Sequence, residues 1–144
     1  MAIYHASFQI IGRSAGRSAC AASAYRSGER VLDTTTGEEH FYVAKQAQSV
    51  GAAFILAPDG APAWALDRSS LWSTVEAVER RKDAQLAREL NVALPVELSR
   101  SEQETLVRDY VTSAFVSRGM IADVALHDLD TVNPHAHVML TMRP

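Results

Sequence analysis

Apolar and polar positions along the chain alternate with two periods, and the switches between them mark the elements. Tyr4, Ala6, Phe8 and Ile10 alternate with Ile3, His5, Ser7 and Gln9, the period-two pattern of a half-buried strand with His5 on its more polar side. Residues 12–17 form a glycine-bearing basic turn. Ser18 then predicts the N-cap, and Gly28 the stop, of an alanine-rich helix. Residues 31–43 predict a turn near Gly37 between short extended pieces carrying His40 and Tyr42, and residues 50–56 predict a further strand. Pro62 and residues 63–67 lead into a helix whose stripe of Leu71, Trp72, Val75 and Val78 is predicted to face the core.

Residues 86–94 return to period two. Leu86, Leu90, Val92 and Leu94 point one way, with Arg88 an exception among them, and Ala87, Glu89, Asn91 and Ala93 point the other. Ser99 and Ser101, each followed three residues later by glutamate, are capping-box candidates for a helix. Its stripe is Leu106, Val107, Tyr110, Val111, Ala114 and Phe115, with Tyr110 read as core and Gly119 as the stop. An apolar run at 121–126 ends at His127, a turn-forming connection follows over 128–134, and Ala136, Val138 and Leu140 alternate with His135 and His137. The last two runs predict an antiparallel hairpin. The order strand, helix, excursion, strand, helix, strand, helix, hairpin predicts an α+β fold: a largely antiparallel sheet with helices packed on one face and a functional site on the other.

At 144 residues the chain is one domain's worth, read here as a single domain over 1–144. One cysteine, Cys20, excludes an intramolecular disulfide and suits a reducing cytoplasm. No signal-peptide pattern or membrane-length apolar run is present. The formal charge of -3 argues against a generic nucleic-acid coat while leaving room for a local basic groove.

Three of the five histidines, His127, His135 and His137, converge if the predicted hairpin forms. Three neutral imidazoles are a divalent-metal set with open coordination positions; the competing reading is three satisfied strand histidines. Tyr25 is the one large reactive group on a helix of small residues, either a core-filling aromatic or a nucleophile on a rigid support. Arg13, Arg17, Arg26 and Arg30 flank it, as solvated charges or as phosphate contacts. Glu89 is either a surface charge or, if its strand joins the histidines, the acceptor that orients a ligating ring.

Four stretches carry a resemblance: the opening Met-Ala-Ile-Tyr-His, residues 13–29 (Arg-Ser-Ala-Gly-Arg-Ser-Ala-Cys-Ala-Ala-Ser-Ala-Tyr-Arg-Ser-Gly-Glu), residues 88–95 (Arg-Glu-Leu-Asn-Val-Ala-Leu-Pro) and residues 133–140 (Asn-Pro-His-Ala-His-Val-Met-Leu). Together, and in this order along essentially the whole chain, they resemble the MobA/MobL family of plasmid mobilisation relaxases. The resemblance implies an HUH-type single-strand endonuclease of the bacterial cytoplasm. It would nick and rejoin DNA at a transfer origin through a 5′-phosphotyrosine and so initiate conjugative mobilisation. Position by position it implies His127, His135 and His137 as ligands of Mg²⁺ or Mn²⁺, Tyr25 as nucleophile and Glu89 as the acidic residue supporting the histidines. Asn91 stands where some members carry a second acidic residue. Arg13, Arg17 and Arg26 are the candidate DNA contacts. The implied partners are single-stranded DNA, accessory mobilisation proteins and a type IV secretion coupling protein.

The family's nuclease domain normally continues beyond the His-Ala-His strand, so an alternative reading is a truncated relaxase that binds metal or single-stranded DNA without efficient cleavage. A rolling-circle initiator or single-strand transposase ranks lower, because in those groups the tyrosine usually follows the histidines.

Overall fold

The computed structural model describes residues 6–42, 50–129 and 131–142. The expectation for His5 lies outside them. Seven strands and three α-helices are described: β1 (Ala6–Gly12), α1 (Ala19–Ser27), β2 (Val31–Asp33), β3 (Glu38–His40), β4 (Val50–Leu56), α2 (Arg68–Val78), β5 (Gln85–Ala93), α3 (Arg100–Ala114), β6 (Ala122–His127) and β7 (His135–Leu140). Five strands form one sheet in the order β1-β5-β7-β6-β4, and β2 and β3 pair as a separate ribbon. Every pairing is antiparallel. The class is α+β, as the alternating pattern predicts. β7, last in sequence, is central in space, between the strand carrying Glu89 and the strand ending in His127.

The capping chemistry acts where the sequence places it. Ser18 accepts from the backbone N–H of Ala21 at the start of α1, and Gly28 closes that helix in the left-handed region at φ 74. Ser99 and Glu102 complete a reciprocal capping box on α3. Of the two candidate boxes, Ser99 is the one used.

Two core clusters lie on opposite faces of the sheet. On one face Leu90, Val124, Leu126, Ala136, Val138 and Leu140 meet Val107 and Val111 of α3. On the other, Ile11, Ala87 and Met139 meet Ala19, Cys20 and Ala24 of α1 and Leu71 and Trp72 of α2. The histidine face is therefore shared: α3 covers the opposite face, while α1 and α2 pack beside the site. The small side chains of α1 let that helix sit close, with Ala19, Cys20 and Ala24 fully buried.

Several positions depart from the sequence expectation: Phe8 and Ile10 of β1 are 57% and 43% exposed, Leu106 of α3 is 42% exposed, and Leu86, Val78 and Tyr110 also differ. Leu86 packs with the α1–α2 cluster although its parity matches Leu90. The β1–β5 register slips between Ile11 and Gly12, which pair with Ala87 and Gln85. The irregularity puts Leu86 with Ala87 on the α1–α2 side, while Arg88 keeps the parity of Leu90, opposite Ile10 and Leu140, and is exposed. Val78, the last residue of α2, is 59% exposed, and Tyr110 is 48% exposed, its ring laid edge-on against Phe115. Neither is core.

Candidate metal centre and its surroundings

The β6–β7 hairpin brings the histidines together by register. His127 stands opposite His135, and Ala125 opposite His137. Asp128 opens the connection in the left-handed region at φ 54, a conformation that Asp tolerates better than most residues. The Asp128 carbonyl then accepts from the backbone N–H of Thr131, folding the chain back. Ring centroids are 4.7 Å apart for His127 and His137, 5.0 Å for His135 and His137, and 5.4 Å for His127 and His135. One nitrogen from each ring lies within 4.8 Å of the others, so the cluster could hold a metal ion.

Each ring's other nitrogen meets an acceptor. His135 Nδ1 donates to the carbonyl of Asn133 at 2.9 Å, leaving Nε2 with its lone pair. His137 Nδ1 faces Glu89 Oε1 at 3.5 Å, a long electrostatic contact rather than a close hydrogen bond. His127 Nε2 donates to the carbonyl of Arg26 at 2.8 Å, which in this tautomer leaves the lone pair on Nδ1. Burial lowers the pKa of His127 to about 4, against the help of the Arg26 carbonyl. Burial also lowers that of His137, against the pull of Glu89. Both rings are thus neutral at neutral pH, the form a metal requires. Converging neutral donors with oriented outer nitrogens fit a divalent cation with coordination positions left for oxygen ligands.

Glu89 occupies the adjoining strand: Asn91 pairs with His137 and Glu89 with Met139 in the β5–β7 register. Buried to 4% exposure, its carboxylate is gripped by Arg26, whose Nε and Nη2 approach Oε1 at 2.7 Å and 2.6 Å, and by Arg17 at 3.5 Å from Oε2. Burial alone would raise its pKa, but His137 and the Arg26 guanidinium outweigh it and hold the group at about 2. Arg17 and Arg26 therefore reach the site through Glu89. Arg13 does not: it ion-pairs with Glu76 at 3.0 Å and donates to the carbonyls of Glu76, Glu79 and Arg81, closing the C-terminal end of α2.

Tyr25 lies one residue before the carbonyl that holds His127, on the last turn of α1. Its half-buried ring packs edge-to-face with Tyr42 at 5.4 Å between centroids and lies under the Arg26 guanidinium at 5.1 Å. The helix is pinned a second time. Asp123, on the same face of β6 as His127, accepts from Ser23 Oγ at 2.6 Å, from Trp72 Nε1 at 2.8 Å and from Arg68 Nε at 2.8 Å. Arg68 continues to Glu29 at 3.0 Å, just past α1. Sequence reasoning gave Asp123 no role of its own, although a carboxylate four residues before His127 inside an apolar run is a visible signal of a buried partner. Nothing in the pattern pointed to the Arg26 carbonyl or to Tyr42.

The family model described as MobA/MobL family matches residues 17–144. A conjugal transfer protein TraA of Rhizobium radiobacter is 40% identical over 154 residues, an alignment covering 100% of this chain and 14% of the relative. Mobilization protein MobL of Acidithiobacillus ferridurans is 42% identical over 132 residues, covering 92% of this chain and 34% of that protein. The chain thus spans a minor part of these relatives' length. Among solved structures, one described as "Molecular Basis of Vancomycin Resistance Transfer in Staphylococcus aureus" superposes with a TM-score of 0.92 at 35% identity, covering 99% of this chain and 72% of that one.

Proposed function

This chain belongs to the MobA/MobL family of conjugative mobilisation relaxases, and from that premise we propose that it nicks and rejoins single-stranded DNA at a plasmid transfer origin through a tyrosine–phosphate intermediate. The observation that carries the proposal is the hydrogen bond from His127 to the Arg26 carbonyl, which seats the last turn of the Tyr25 helix against the three imidazoles.

His127, His135 and His137 would hold the cation, and three imidazoles suit Mn²⁺ better than Mg²⁺, which prefers oxygen ligands. When bound, it would polarise a non-bridging phosphate oxygen as a Lewis acid. The protein's own groups do the rest. Tyr25 attacks phosphorus; the Tyr25 oxygen–phosphorus bond forms, the bond to the 3′-oxygen breaks, and the proton given up by the phenol is balanced by the one gained at the 3′-hydroxyl. One phosphodiester replaces another, so the 3′-hydroxyl can attack the 5′-phosphotyrosine and reseal the strand. Glu89 orients His137 and, by pairing with Arg26 and Arg17, keeps two guanidiniums beside the reacting phosphate. By family, the DNA partner would be handed to accessory mobilisation proteins and a secretion coupling protein in the bacterial cytoplasm. Among the described residues no helix is long and apolar enough to cross a membrane.

The test is covalent capture. Single-stranded oligonucleotides tiled across the DNA flanking the gene are incubated with Mn²⁺ and either the chain or its Tyr25→Phe variant, then resolved on a denaturing gel. A metal-dependent adduct with the parent chain and none with the variant supports nicking. A folded, Mn²⁺-binding protein that forms no adduct with any tile supports the alternative, metal or DNA binding without efficient cleavage.

A further inference from the structure

The β2–β3 ribbon packs beside α1 and α2, and at its end the chain carries two consecutive aromatics outward. Phe41 is 37% and Tyr42 39% exposed. Buried rings usually explain themselves by packing; these two are half-presented, Phe41 beside Arg30 and Tyr42 against the candidate nucleophile. The Arg30 guanidinium lies 4.2 Å from the Phe41 ring centroid, Tyr42 meets Tyr25 at 5.4 Å, and Tyr25 carries Arg26 at 5.1 Å. Arg30 is fixed by Glu39 at 2.7 Å on the same ribbon, so its plane is held against the ring. Rings and guanidinium planes in sequence are what unpaired bases stack on, without regard to base identity. The charge beside the row is set by the three arginines Arg17, Arg26 and Arg30, each already paired with a glutamate. At Phe41 itself the charge of Arg30 is offset by Glu39, so a base-directed contact is the better match to that surface.

We propose that Phe41 and Tyr42, with Arg30 laid over Phe41, form a stacking wall that receives unpaired nucleobases next to the phosphate attacked by Tyr25. The inference rests on the nickase reading for its strand and names where the bases of that strand go. Tyr42 has a double part: it supports the Tyr25 ring from one side and offers its exposed surface to a base.

The probe pair is a fluorescein-labelled thirty-residue oligothymidylate and a chain of equal length made of abasic deoxyribose phosphates, with the full chain and Mn²⁺. Both carry the same phosphates, so their ratio of affinities isolates the bases. The wall predicts that the parent chain prefers oligothymidylate by roughly tenfold or more. Phe41→Leu/Tyr42→Leu should bring its affinity down to the abasic value, while Tyr42→Phe retains the preference. Equal affinity of the parent chain for the two probes, no binding to either, or an undiminished preference in a folded double-leucine variant overturns the proposal. Mn²⁺ affinity of each variant reports that the histidine cluster is intact. The Tyr25 adduct is read separately, so loss of stacking and loss of nicking are distinguishable.

Discussion

His127 and Arg26 are joined by a 2.8 Å hydrogen bond from imidazole Nε2 to backbone carbonyl, so a candidate metal ligand also holds the end of the helix that carries Tyr25. His135 has no such second duty: its outer nitrogen bonds the nearby Asn133 carbonyl within its own hairpin. Replacing either with alanine should abolish Mn²⁺ binding in a calorimetric titration. Only His127→Ala should also lower urea-unfolding stability, by about 1–3 kcal/mol, because it leaves a carbonyl facing a void. Equal stability loss in the two variants would show that the tie to α1 contributes nothing.

Glu89 meets His137 and two arginines at once. Its carboxylate, held at about 2, is ionised at neutral pH and so stands as a fixed charge. Glu89→Gln removes that charge and leaves the shape. It should weaken Mn²⁺ binding about 10- to 100-fold, the usual loss when a ligating imidazole loses its carboxylate partner. An unchanged affinity would mean that the 3.5 Å contact is too long to orient the ring.

Asp123 is the hub of a second, drier network. Its two oxygens accept from Ser23, Trp72 and Arg68, which come from α1 and α2. Asp123→Ala leaves the buried Arg68 guanidinium only the exposed Glu29 carboxylate as partner and the Trp72 N–H without an acceptor. The expected loss is about 3–5 kcal/mol, read from urea denaturation. Leucine in place of Arg68, in the same alanine background, should restore part of it by removing the stranded charge.

Much of this arrangement was legible in the chain. The i, i+2 spacing of His135 and His137 puts them on a common face once their segment is a strand, and the turn residues after His127 bring that ring alongside. The capping pattern at Ser18, Gly28 and Ser99 is local chemistry and needs no tertiary knowledge. What could not be read was which element lies over which. Arg17 and Arg26 follow a generic basic pattern, and only the seating of α1 on the histidine face of the sheet turns them toward Glu89. Tyr110 and Val78 sit on apolar stripes, but a stripe gives direction and not the extent of the surface that covers it. Leu86 leaves the face its parity assigns it because of a bulge beside it, which breaks period two by adding one residue.

Burial of Cys20 pushes its thiol up to about 12, with Asp33 and Glu76 adding to the effect and Ser73 opposing it. A thiolate is the reactive form, so the folded chain should resist a disulfide reagent at pH 8.5, where an ordinary thiol reacts readily. Adding denaturant should release one thiol equivalent. Rapid labelling of the native protein would instead report frequent opening of the small-residue packing between α1 and α2.

The acid side of the stability profile follows from His127. Its imidazole has an ordinary pKa of 6.5 when the chain is unfolded and about 4 when folded. Between those values the unfolded chain binds a proton that the folded one refuses, so stability rises with pH: the contribution is fully present above about pH 6.5 and is lost as pH falls toward 4. A shift of this size from one group is worth at most about 3 kcal/mol. Urea midpoints of the metal-free protein at pH 7, 6, 5 and 4.5 should fall accordingly, and His127→Gln should flatten the fall. Saturating Mn²⁺ should steepen it, because the cation and the proton compete for the same nitrogens and the cation's stabilisation vanishes as the imidazoles charge. A slope that is the same in His127→Gln as in the parent chain would assign the acid sensitivity to other groups.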